Sequence, residues 1–119
     1  MKSTDYKDLV VWQKGIELAT WLYETTTRFP KEELYGIVSQ MRRAAVSVPS
    51  NIAEGQARRH KTEFVQFLSI AKGSLAELET QLIISKSLKY IDEKELFEGK
   101  ERVDELNKLL YSLISKLKT

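Results

Sequence analysis

The stretch that decides the fold is Gln40–Lys61, QMRRAAVSVPSNIAEGQARRHK. At about 100° per residue, Ile37, Met41, Ala44, Val48 and Ile52 line one sector of a helix and hold a single phase. Gln40, Arg43, Ser47, Asn51, Glu54 and Arg58 fall in an adjacent narrow sector, at the three- and four-residue spacing of helical neighbours. A polar stripe on a bundle helix is ordinarily its solvated face. Here, however, Gln40, Ser47 and Asn51 are short or planar hydrogen-bonders, and the opposite sector carries Val46, Pro49, Ala53 and Ala57. That pattern predicts a helix covered on both sides. Buried polar groups must be paired, so Gln40, Arg43, Ser47, Asn51 and Glu54 are expected to form a network inside the bundle or at a subunit interface. Such networks can fix register and oligomer state. Glu54 also stands four residues before Arg58, the favourable order for an ion pair.

Pro49 removes one helical hydrogen bond and frees the carbonyl of Ala45, at a cost of roughly 3 kcal/mol. It either divides two helices or kinks one. The unbroken apolar phase across it favours a single kinked helix. Gly55 costs about 1 kcal/mol against Ala in a helix, and close approach of a neighbour would explain its presence; the same expectation extends to Gly73.

Working outward, helix one is expected over about Tyr6–Thr27, with Leu9, Trp12, Ile16, Ala19, Leu22 and Tyr23 inward. Phe29-Pro30 ends it, because a residue before proline leaves the helical region. Helix two is expected over Lys31–Arg59. Helix three runs over Thr62–Lys89, with Thr62 as N-cap and Phe64, Phe67, Leu68, Ala71, Leu75, Leu78 and Leu82 as its core stripe. Asp92 and Glu95 form a capping-box pattern at the start of helix four, which carries Leu96, Val103, Leu106, Leu110, Leu113 and Leu117. Short connections favour antiparallel neighbours, so residues 1–119 read as one all-α domain, an up-down-up-down four-helix bundle. Val10, Trp21, Val65, Ile70, Ile83 and Ile84 lie off the expected core faces. They either pack between subunits or border a wider core.

Charge is segregated. Gly36–Lys61 holds five bases against one acid, a net +4, and Asp92–Glu105 holds seven acids against three bases, a net −4. The whole chain carries only +2, too little by itself to imply a nucleic-acid partner. Arg58, Arg59, His60 and Lys61 form the tip between helices two and three. Such a tetrapeptide is ordinarily a solvated loop. Repetition of it on a common face of an oligomer makes Arg58, Arg59 and Lys61, with Arg42 in addition, the candidates for phosphate contact. The planar fork of Arg suits phosphate.

There is no cysteine and only one histidine, His60. That excludes a disulfide framework and a thiolate zinc site, and no Glu-x-x-His pair or glycine-rich phosphate loop appears. No enzyme, metal or cofactor is expected. No apolar run approaches the roughly 18 residues of a membrane span, and the first residues lack a signal-peptide core. A cytoplasmic location without a membrane partner is the simple expectation.

DLVVWQKG (Asp8–Gly15), RFPKEELYG (Arg28–Gly36), QMRRAAVSVPSNIAEGQAR (Gln40–Arg58) and EFVQFLSIAKGSLAELETQL (Glu63–Leu82) resemble, in order and spacing, the bacterial four-helix bundle proteins encoded in intervening sequences of 23S ribosomal RNA genes. The resemblance covers nearly the whole chain and weakens in helix four. Its characteristic positions correspond to Arg42, Arg43, Ser47, Asn51, Glu54 and Gly55; Gly15 is commonly alanine in the family. The resemblance implies an antiparallel four-helix bundle assembled as a homopentamer, like the related accessory proteins of diversity-generating retroelements, which bind nucleic acid and a reverse transcriptase. The leading expectation is a non-enzymatic oligomer that binds structured RNA or a ribonucleoprotein through a repeated basic face. The alternative is a scaffold that docks a partner protein without touching nucleic acid.

Overall fold

The four helices of the computed structural model, which describes residues 5–119, are α1 (Val10–Thr26), α2 (Ile37–Arg58), α3 (Lys61–Ser87) and α4 (Glu93–Lys118). Each packs on its sequence neighbour, and α1 closes the ring on α4. The result is an antiparallel four-helix bundle with extents of 47 × 22 × 22 Å. Residues 1–4 of the expected domain lie outside the described residues. The core holds Leu18 and Leu22 of α1, Met41, Val48 and Ile52 of α2, Leu68, Leu75, Leu78 and Leu82 of α3, and Val103, Leu106 and Leu110 of α4, all buried.

Three helix boundaries differ from expectation. α1 is preceded by a 3-10 turn at Tyr6–Asp8 and begins only at Val10. Lys31–Glu33 forms another 3-10 turn, and α2 starts at Ile37 instead of Lys31. Gly36 takes a backbone conformation outside the helical region (φ −108°, ψ −118°), which glycine adopts readily. Thr62 does not cap α3. Arg59 turns left-handed (φ 63°), His60 is extended, and α3 already begins at Lys61. The Asp92–Glu95 capping box forms as read, with the Glu95 amide 2.8 Å from Asp92 Oδ1 and the Asp92 amide 3.0 Å from Glu95 Oε1. Its second carboxylate oxygen accepts from Arg28, tying the end of α1 to the start of α4. At the same end of the bundle, the Tyr90 hydroxyl donates to Glu33 Oε2 at 2.7 Å.

α2 runs through Pro49 as one helix. Pro49 is buried, and α1 meets it at Gly15. A Cβ there would stand 3.2 Å from the Pro49 Cβ. This contact sets the phase of α1, whose buried stripe is Val11, Gly15, Leu18 and Leu22. Ile16 and Tyr23, expected inward, are exposed. Trp21, read as lying off the core, instead packs between α1 and α4 over Gly99, where a Cβ would come within 2.8 Å of the ring. A wider core therefore explains Trp21. Val10, Ile70, Ile83 and Ile84 remain exposed on the single chain.

Gly55 and Gly73 differ in kind. A Cβ on Gly55 would lie 2.6 Å from the Phe67 Cβ and 3.0 Å from Phe64 Cδ1, whereas nothing lies within 4 Å of one on Gly73. The expected close approach holds for the first and fails for the second within the bundle. The same substitution therefore has opposite effects in thermal or urea unfolding. Gly55→Ala overpacks the α2–α3 seam and lowers stability by about 1–3 kcal/mol, while Gly73→Ala raises it by up to about 1 kcal/mol.

Candidate nucleic-acid interface

The antiparallel topology brings the C-terminal ends of α2 and α4 to the same pole as the start of α3. Lys61, Thr62, Val65, Gln66, Leu117 and Lys118 line one hollow of about 370 Å³ there. A second, of about 210 Å³, is lined by Gly55, Gln56, Arg59, His60, Lys61 and Phe64. Arg59, His60, Lys61 and Lys118 are all exposed. The acidic first turn of α4 lies at the far pole, where Glu93 pairs with Lys86 at 3.4 Å. Cations in the last turn of a helix complement its dipole, which accounts for Arg58 on α2 and for Lys116 and Lys118 on α4.

The four expected phosphate ligands do not share one environment. Arg58 is engaged within the fold: it donates to Glu54 Oε2 at 3.1 Å, lies 3.9 Å from Glu63 Oε2, and stacks 5.2 Å from the Phe67 ring centre. Arg42 is also engaged, at the other pole. Its Nε donates to Thr26 Oγ1 at 3.0 Å and Nη2 to the Tyr23 carbonyl at 3.4 Å, and the guanidinium covers the Tyr23 ring at 4.5 Å. There it serves the carbonyl end of α1, a favourable post for a cation. Arg59 and Lys61 line one hollow with His60, and Lys61 lines a second with Lys118. Sequence reading passed over Lys118. The signal was the pairing of helix ends that the expected antiparallel order already implies.

The polar stripe of α2 is divided as well. Asn51 Nδ2 donates to the Ser47 carbonyl and to Ser47 Oγ, both at 2.8 Å, and Ser74 Oγ donates to Ser47 Oγ at 2.9 Å. This half-buried chain of bonds crosses the α2–α3 seam. Gln40, Arg43 and Glu54 are exposed on the single chain and stand outside it. The seam continues on α3 with Gln81 and Ser85, buried polar residues that a leucine-based pattern hides. Beside the stripe runs a groove of about 620 Å³ walled by Tyr23, Leu34, Tyr35, Arg43, Val46 and Asn51. Tyr35 is 92% exposed there.

Among the described residues, no group of His, Cys, Asp and Glu is placed to hold a metal ion, and no helix is long and apolar enough to cross a membrane.

These features define the class: an antiparallel four-helix bundle with Arg59, Lys61 and Lys118 gathered at one pole. The chain belongs to the 23S rRNA-intervening sequence protein family, which it matches over residues 7–112. It is similar in structure to a crystallised protein of unknown function from the S23 ribosomal protein family of Bacteroides thetaiotaomicron. The TM-score is 0.79 at 26% identity, over 88% of this chain and 98% of that one. No curated protein matches the chain.

Arg42 therefore has a structural post. Arg42→Ala is expected to lower unfolding stability by about 1–2 kcal/mol through the lost hydrogen bonds and ring contact, as read by urea denaturation.

Proposed function

We propose that this chain is a cytoplasmic, non-enzymatic homo-oligomer that binds RNA through the basic pole formed by Arg59, His60, Lys61 and Lys118. The observation that carries the reading is the convergence of Arg59, Lys61 and Lys118 from three helix ends, with His60 between the first two. The family's association with ribosomal RNA genes supports RNA as the polyanion. A homopentamer, implied by the resemblance, would repeat the pole on one face. Each subunit then adds phosphate contacts without any new chemistry. Exposed Val10, Ile70, Ile83 and Ile84 supply apolar surface for assembly.

Contacts of this kind weaken with salt and carry little base information. In a salt series on nuclease-treated protein, the affinity for RNA should fall linearly on a log–log scale. The Arg59→Ala/Lys61→Ala double variant should bind weakly with a flatter slope, and Arg42→Ala should bind like the parent. Equal binding by parent and double variant would refute the assignment.

A second reading is a protein-docking scaffold, favoured by the largely apolar groove around Tyr35. It predicts a specific protein that stays bound after nuclease treatment and is lost with Tyr35→Ala.

A further inference from the structure

Lys61 belongs to the wall of both hollows at the basic pole. Each hollow has apolar, amide and cationic side chains in its wall. One is lined by the half-buried Phe64 together with Gly55, Gln56, Arg59 and His60. The other is lined by Val65 and Leu117, with the amide of Gln66 and the cation of Lys118. Phe64 is held in place from below, because its ring packs against the bare Cα of Gly55. Cations and amides can both meet phosphate, so it is the apolar residues beside them that suggest a base. Apolar side chains with amides beside them suit the flat face and hydrogen-bonding edge of a nucleobase. A paired A-form helix keeps those faces stacked and would leave both hollows empty.

We propose that the basic pole reads single-stranded RNA as a dinucleotide step: one unpaired base in each hollow, with the phosphate between them on Lys61. The inference rests on the RNA-binding reading above and adds to it a preference for unpaired RNA. Phe64 supplies the stacking face for one base, and Gln56 and Gln66 face the base edges.

The test is fluorescence anisotropy at fixed salt with labelled oligoadenylate, alone and paired with oligouridylate. The single strand should bind about tenfold or more tighter than the duplex. Phe64→Leu should weaken the single strand by about fivefold or more and leave the duplex unchanged. Gln56→Ala/Gln66→Ala, a double variant at the helix surface, should do likewise by about fivefold and carries the test if Phe64→Leu unfolds. Equal binding of both RNAs, with the variants inert, would overturn the dinucleotide site while leaving the RNA-binding reading intact. Binding of neither RNA would overturn both.

Discussion

A Cβ on Gly55 would sit 2.6 Å from the Phe67 Cβ, so α2 and α3 can meet at their observed depth only because that residue is glycine. This close approach orders much of what surrounds it. It seats Phe64 and Phe67 against α2, and Phe67 in turn receives the Arg58 guanidinium. It brings Ser74 within 2.9 Å of Ser47 further along the same seam. On its other flank α2 meets α1 through Pro49 and Gly15. Helix α2 is thus gripped on two sides by small residues at positions where helix propensity alone would disfavour them. Packing in a tight interior transmits such constraints because it leaves few voids.

The arginines take different posts on this frame. Arg42 and Arg58 are drawn back onto the bundle, one to the end of α1 and one to Glu54, Glu63 and Phe67. Arg59 follows the last helical residue, where the chain turns left-handed. Arg59 thereby lines one hollow with Gly55, His60, Lys61 and Phe64. Lys61 starts α3 only two residues later. The abrupt turn gathers the cations of the pole and places the two hollows on either side of Lys61.

The fold was legible because its signals are local or periodic. The core stripes of α2 and α3 follow directly from Met41, Val48, Ile52, Leu68, Leu75 and Leu82, and the Asp92–Glu95 box is a contact between near neighbours. The phase of α1 was less legible. Ile16 and Tyr23 look as suitable for a core as Val11 and Leu18 do, and the choice depends on Pro49 reaching Gly15 from another helix. Trp21 over Gly99 was hidden for the same reason. The site was legible in kind and only partly in detail. The charge cluster is plain in the sequence, but an arginine's role depends on partners distant along the chain, as Thr26 is from Arg42. Lys118 lies far from Lys61 in sequence and joins it only through the bundle's topology.

The central claim is that the pole of Arg59–Phe64, and not the groove around Tyr35, meets RNA. It is tested most directly by an NMR titration of the isotope-labelled protein with single-stranded RNA. The account predicts that amide shifts concentrate at residues 55–66 and 117–118 and leave Tyr23, Tyr35 and Arg42 unmoved. Shifts centred on Tyr23, Tyr35 and Val46, with the pole silent, would contradict it.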